Sequence, residues 1–281
     1  MEPQAVAQMV QGKREARDIV DMSLEMIDID ALDTGRYRAM VVQDPTDKRQ
    51  IRGFLHLASA YPAGISLPEN EARRWPEIIQ AMVRAVNRLT DIRADFQGRL
   101  AFDSAELLKV PFLYTRIYWP FCLSGSESAQ LGHYLVGGGL LFAETVPDVG
   151  YFPAYEPLKR MIADALRTHG LVEDVAWRLE RLPNSHALYH CYFDFDGPPM
   201  GTDAGGGRLI RCDYLEGAIS SGRVLAIVCQ KNYAQPWVAW GPGRDHPGLD
   251  PTRQLQFAVN LIVFALTQEG SITHRVMDEV Q

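Results

Sequence analysis

The sequence predicts an α/β fold whose mostly parallel sheet is covered by helices on both faces. The clearest indication is the segment 111–145, which reads as strand, helix and strand in turn. Its first apolar run ends before Ser124-Gly-Ser-Glu127, a helix-capping box, and the three glycines at 137–139 can end that helix. The next run, 140–143, is continuously apolar, which is typical of a strand buried on both faces.

The elements before this segment alternate in the same way, which is the second indication. The pattern predicts helices over 3–29, 73–89 and 105–109, and strands over 37–43, 51–61 and 92–96. Alternation of this kind favours right-handed crossovers and a doubly wound sheet.

The elements after residue 145 complete the same architecture. The pattern predicts a helix over 156–169, a strand over 172–182, strands over 214–220 and 223–230, and a final helix over 252–268. Ser221-Gly222 joins two of these strands as a tight turn, so an antiparallel hairpin is expected at the edge of the sheet. We therefore divide the chain into an N-terminal helical extension, 1–36, and an α/β domain, 37–281.

The composition restricts the possible functions. The 281 residues carry a net charge of −7, so no basic field favours nucleic acid as a partner. No apolar run reaches the roughly 20 residues that a membrane span requires. The first residues lack the pattern of a secretory signal, so the expected location is cytoplasmic, or periplasmic if a signal was removed. The four cysteines show no zinc or redox spacing, and no motif indicates a cofactor.

Three segments together resemble a known family: FLHLASAY at 54–61, then PFLYTRIYWPFCLSGSESAQLGHYLVGGGLLFAET at 111–145, then LERLPNSHALYHCYFDF at 179–195. In order and spacing they are similar to the DUF4159 family of bacterial proteins, from about residue 51 to 266. The resemblance implies a flavodoxin-like three-layer sandwich related to the class I glutamine amidotransferase-like superfamily. It also implies a role in assembly or at the cell envelope.

Polar and aromatic residues follow the predicted strands at the end where open α/β sheets bind ligands. The ligand-binding candidates are Ser59, Tyr61, Arg116, Tyr118, Trp119, Lys231, Tyr233 and Trp237. Glu144 and Asp148 are the candidate acids or bases, and Arg116 or Lys231 could hold an anion. Because strand ends are polar in any such fold, the same residues are also compatible with a purely structural role.

Cys122 lies between a predicted strand and a predicted helix, where an amidotransferase nucleophile would be expected. Its neighbours Phe121 and Leu123 are bulky, however, and no downstream histidine and carboxylate complete a triad. A structural cysteine is the preferred interpretation.

His186, His190 and Asp194 are spaced four residues apart and could face one metal ion on a helical turn. The same stretch also reads as an aromatic strand, in which these side chains would separate. Histidines of a loop or an interface are the preferred interpretation.

Two segments could contact a partner or a second copy of the chain. Residues 3–29 form an amphipathic pattern, and residues 232–245 bring Trp237 and Trp240 close to Tyr233. We expect a non-catalytic domain that acts as a structural or binding subunit. The alternatives are a hydrolase of amide or glycosidic bonds and, less favoured, a sensor of small anions or sugars.

Overall fold

The computed structural model describes residues 29–65, 69–117, 120–146, 155–202, 209–210, 214–239 and 251–280. The chain divides into two units, Met1–Arg36 and Tyr37–Gln281. The described part of the first unit contains a short 3-10 helix, Ile29–Leu32. Of the predicted helix over 3–29, all but the last residue lies outside the described residues.

The second unit is built on one large mixed sheet. Its strands in chain order are β1 (Ala39–Gln43), β2 (Ile51–Tyr61), β3 (Asp91–Ala101), β4 (Phe112–Arg116), β5 (Leu140–Glu144), β6 (Arg178–Arg181), β9 (Glu216–Ser220) and β10 (Arg223–Cys229). Two further short strands, β7 (Gly201–Thr202) and β8 (Leu209–Ile210), form a separate antiparallel pair.

Five strands of the large sheet are parallel, in the spatial order β3-β2-β4-β5-β10. The first strand of this set in the chain therefore lies between the second and the third, which is the doubly wound order of flavodoxin-like folds. β9 and β6 extend the sheet beyond β10 as antiparallel strands, so the predicted hairpin and antiparallel edge are confirmed. The switch in strand order lies between β2 and β4.

Six α-helices are present in the described residues. They are α1 (Glu69–Leu89), α2 (Gly125–Val136), α3 (Tyr155–Arg167), α4 (Ala234–Ala239), α5 (Thr252–Thr267) and α6 (Ile272–Val280). Buried side chains of α1, α4 and α5 form one core with the sheet, whereas α2 and α3 form a second core on the opposite face. The three-layer α/β architecture is thus confirmed. None of the helices in the described ranges is long and apolar enough to cross a membrane.

The local signals around α2 behave as the sequence predicts. Ser124 accepts a hydrogen bond from the backbone of Glu127, and the Glu127 carboxylate accepts one from the backbone of Ser124. The helix ends at Val136, and Gly138 has a φ of 108°, which a side chain would strain. A Cβ at Gly138 would also lie 2.7 Å from the carbonyl oxygen of Gly270.

Two strand predictions need correction. β3 is eleven residues long rather than five, because it pairs with nearly the whole of β2. The predicted strand over 172–182 is regular only over Arg178–Arg181. Asp174 has a φ of 62° and Val175 is 85% exposed, so the chain turns there and pairs with β9 only afterwards.

Candidate functional site

The carboxyl ends of β4 and β5 carry a buried ion pair. Arg116 and Glu144 are directly opposite each other in the register of the two strands. Both side chains are fully shielded from solvent, and Arg116 Nε lies 3.7 Å from Glu144 Oε2. Tyr114, two residues earlier on the same face of β4, donates its hydroxyl to the same carboxylate oxygen at 2.8 Å. The sheet therefore holds a carboxylate, a guanidinium and a phenol in one fixed arrangement.

The turn after β10 closes over this carboxylate. The backbone N–H groups of Tyr233 and Ala234 both donate to Glu144, the second at 3.1 Å. The backbone of Asn232 is in the left-handed region, with a φ of 51°, which turns the chain so that these two N–H groups point at the carboxylate. The side-chain oxygen of Asn232 accepts a hydrogen bond of 2.7 Å from Arg116 Nη2. Glu144 and Arg116 thus fasten the start of α4 to the centre of the sheet.

Burial dominates the electrostatics of the site. Loss of water raises the pKa of Glu144, while Arg116, the Tyr114 hydroxyl and the two backbone N–H groups act in the opposite direction. Burial also raises the pKa of Tyr114 well above its ordinary value, and the neighbouring Glu144 charge adds to this. Tyr114 is therefore a neutral hydrogen-bond donor throughout the physiological range.

The polar network continues to the pair of short strands. The Asn232 side-chain amide donates to Thr202 Oγ1 at 3.2 Å, and Thr202 donates its hydroxyl to the Asn232 carbonyl at 3.1 Å. Gly201 lies against Lys231 so closely that a Cβ would be 2.0 Å from the Lys231 carbonyl oxygen. Lys231 itself is buried, with its ammonium 6.0 Å from the centre of the Tyr233 ring.

Aromatic rings surround the network on the α1 and α5 side. Tyr114 lies about 6 Å from both Trp75 and Trp237, and Tyr233 stacks on Trp237 at 5.7 Å. Trp237 is fully buried and donates its indole N–H to the Gln254 carbonyl at 2.8 Å. Tyr61 is joined to the group through its edge contact with Trp75. Trp237 is thus a core residue, and its ring is not available as a surface platform.

Most of the strand-end residues named from the sequence come together in this cluster. Arg116, Glu144, Tyr233 and Trp237 are in direct or shared contact, and Lys231 lies beside Tyr233. Ser59 is buried on β2, opposite Tyr114 in the strand register. Tyr118, Trp119 and Asp148 lie outside the described residues.

Two members of the cluster, Tyr114 and Thr202, were missed in the sequence. Tyr114 precedes Arg116 by two residues, so the strand period places both on one face, and this signal could have identified it. Thr202 belongs to a two-residue strand, which leaves no periodic pattern in the sequence.

Cys122 lies in the connection between β4 and α2, as predicted, and it is exposed and unoxidised. Phe121 and Leu123 pack against the core that α2 and α3 share, and this anchors the connection. Within the described ranges, Cys122 Sγ forms no hydrogen bond, and neither a histidine nor a carboxylate contacts it.

The proposed metal triad separates in the structure. His186 Nδ1 accepts a hydrogen bond from the Leu188 N–H, and its ring lies edge-on to Phe264. His190 Nδ1 is instead 3.2 Å from Asp194 Oδ1, which also binds Lys48 Nζ at 2.6 Å. Among the residues that the structure describes, no three His, Cys, Asp or Glu side chains are placed to hold a metal ion.

No curated protein matches this chain. The profile of one family, described as a domain of unknown function (DUF4159), matches residues 68–266. This range runs from the start of α1 to the end of α5 and includes Glu144, Arg116 and the turn that covers them. Because the match spans more than half of the sequence, the chain belongs to the DUF4159 family.

Proposed function

We propose that this protein is a non-catalytic, glutamine amidotransferase-like α/β domain that serves as a structural or binding subunit of a bacterial assembly. The observation that carries the proposal is the state of Glu144. This carboxylate stands where such folds place reactive groups, yet it has no exposed surface, and both of its oxygens accept hydrogen bonds. A general acid or base must reach the proton of a substrate, and Glu144 is instead used to hold the chain together.

The amidotransferase-like part of the proposal is supported by the strand order and by the position of Cys122. A cysteine between a parallel strand and the following helix is where that superfamily carries its nucleophile. Here the connection lacks small flanking residues, and no histidine of the described residues contacts the thiol. These features favour a domain that has the amidotransferase-like fold but does not catalyse the amidotransferase reaction.

The catalytic test compares the full-length protein with Cys122→Ala and Glu144→Gln. We expect no release of ammonia from glutamine, and no cleavage of p-nitroanilide or p-nitrophenyl glycoside substrates, by any of the three proteins. Turnover that disappears in Cys122→Ala would establish amidotransferase chemistry and overturn the proposal. Turnover that disappears in Glu144→Gln, with the fold retained, would favour the hydrolase instead.

The binding role is tested separately by light scattering coupled to size exclusion. The full chain and a chain lacking residues 1–36 are compared over a range of concentrations, since residues 37–281 form their own compact unit. We expect the full chain to self-associate and the shortened chain to do so less. If both remain monomeric at every concentration, self-assembly is excluded as the binding role.

A further inference from the structure

A groove lies at the amino ends of the parallel strands, on the opposite edge of the sheet from Glu144. It has a volume of about 650 Å³, which is within the roughly 300–1,000 Å³ typical of small-molecule sites. The turn Ser221-Gly222 and the first residue of β10, Arg223, line its base. The groove is lined by described residues of both faces of the sheet, including Phe264 of α5 and Val136 of α2.

Arg223 provides a cation that forms no ion pair with an acid of the described residues. Its guanidinium donates to the carbonyl oxygens of Leu135 and Gly139, which fixes it at the C-terminal end of α2. In the part of the chain that the structure describes, no carboxylate forms an ion pair with Arg223. Burial and the nearby charge of Arg275 lower the pKa of Arg223 to about 10, so it remains charged at neutral pH. The groove therefore presents a partly desolvated, fixed positive charge.

The rest of the groove is mainly apolar. Its walls are formed by Val136, Leu171, Ala187, Leu225 and Phe264. Val136 is 39% exposed at the rim, so the apolar surface is open to solvent. A compact chain or ring of carbon atoms could lie along these walls once water is displaced.

Two further polar residues are among those that line the groove. Gln268 lines the groove, and its amide nitrogen is buried without a hydrogen-bond acceptor among the described residues. His186 also lines the groove, and burial lowers its pKa, so the ring is neutral at neutral pH. Because His186 Nδ1 accepts a hydrogen bond from Leu188, its remaining proton is on Nε2. Besides the Arg223 cation, the groove therefore contains hydrogen-bond donors. Among its lining residues, Glu269 carries the one carboxylate, which is exposed.

We propose that this groove binds a small apolar carboxylic acid, with the carboxylate on Arg223 and the hydrocarbon along Phe264 and Val136. The charge of the acid supplies a counter-ion for Arg223, and its oxygens accept hydrogen bonds from Arg223 and His186 Nε2. The hydrocarbon covers apolar surface that is otherwise in contact with water. This site is separate from the Glu144 cluster and does not depend on the function proposed above.

The test uses octanoate as the probe, titrated into the full-length protein by isothermal titration calorimetry. We expect saturable binding with one site per chain, and roughly tenfold or more weaker binding of 1-octanol, which keeps the hydrocarbon but lacks the charge. Absence of octanoate binding would overturn the proposal. Equal binding of octanol would overturn the assignment of a carboxylate to Arg223.

One variant at the rim and one control variant away from the groove locate the site. Val136→Glu places a negative charge at the mouth of the groove, and we expect it to weaken octanoate binding by roughly tenfold or more. Val175→Glu is the matched control, because Val175 is 85% exposed and does not line the groove. Both positions are exposed enough for the fold to tolerate the change, which circular dichroism would verify. Equal loss in both variants, or in neither, would show that octanoate binds elsewhere.

Discussion

The two edges of the sheet contain a buried or partly buried arginine in opposite situations. At the carboxyl edge, Arg116 is enclosed with Glu144 and further fixed by Asn232. At the amino edge, Arg223 donates to backbone carbonyl oxygens, pairs with no carboxylate of the described residues and lines an open groove. In the first arrangement the positive and negative charges pair within the protein. In the second, the positive charge of Arg223 is left to pair with a ligand.

This difference separates structural from recognition chemistry within one fold. A fully enclosed ion pair contributes mainly through the cost of breaking it, since each partner would otherwise be a lone buried charge. A partly exposed cation without a counter-ion costs less and stays available to a ligand. The position of a charged residue at a strand end is therefore insufficient to identify a binding site. The groups that form ion pairs and hydrogen bonds with that residue must also be known.

The largest expected effect is that of Glu144→Ala. It removes the acceptor for the Tyr114 hydroxyl and for two backbone N–H groups, and it leaves Arg116 without its carboxylate. We expect a loss of about 3–5 kcal/mol in the free energy of unfolding, measured by urea denaturation with circular dichroism.

The matched control for this change is Glu156→Ala. Glu156 also pairs with a basic residue, Lys159, at 3.2 Å, but it is 72% exposed on α3. We expect this variant to lose about 0.5 kcal/mol or less. Similar losses in the two variants would contradict the view that the Glu144 cluster holds the carboxyl edge together.

The next effect in size is that of Arg223→Met. The variant keeps an apolar stem but removes two hydrogen bonds and a favourable charge at the C-terminal end of α2. We expect a loss of about 1–2 kcal/mol in the free energy of unfolding, together with loss of octanoate binding. Arg167→Met is the control, since Arg167 is 68% exposed in the last turn of α3 and pairs with Asp164. An equally large loss in the control would remove the distinction between Arg223 and a surface arginine.

The fold could be predicted from the sequence where the signals are local. The capping box at Ser124, the glycine stop at Gly138 and the hairpin turn at Ser221 each depend on a few neighbouring residues, and the structure confirms all three. The length of β3 and the antiparallel addition of β1 to β2 depend on a strand partner elsewhere in the chain. No local pattern specifies that partner.

The position of the candidate site could be predicted from the sequence, but the complete burial of its charged side chains could not. Parallel strands bring their carboxyl ends to one edge, so Arg116 and Glu144 could be placed together from the sequence. Their complete burial depends on the turn at Asn232, which folds back over the edge. The amino-edge groove was not anticipated, because Arg223 is read in the sequence only as the first residue of a hairpin strand. That Arg223 has no ion-pair partner within the described part of the chain is a property of the tertiary fold.

A smaller effect is expected in the pH dependence of the Glu144 contribution. Burial raises the pKa of Glu144 above its ordinary value of 4.5, so the folded protein retains this proton to a higher pH than the unfolded chain. The contribution of Glu144 to the free energy of unfolding is then fully present below pH 4.5, and it falls as the pH rises through the folded-state pKa. We expect the stability of the wild type relative to Glu144→Gln to decrease as the pH rises above about 4.5. A relative stability that increases over this range would mean that Arg116 and the hydrogen bonds outweigh burial.

The smallest effect is expected in the pH dependence of the contribution that His186 makes to stability, at the amino edge of the sheet. Its sign is opposite to that expected for Glu144. Burial lowers the pKa of His186 below its ordinary value of 6.5, so the unfolded chain takes up this proton first as the pH falls. Stability from this group is complete above 6.5 and is lost as the pH falls through the folded-state pKa. Urea denaturation of the wild type and His186→Asn should therefore show the advantage of the wild type shrinking below about pH 6.5. A constant difference would place His186 in contact with water rather than against Phe264, and the base of the groove would then have to be more open than the structure indicates.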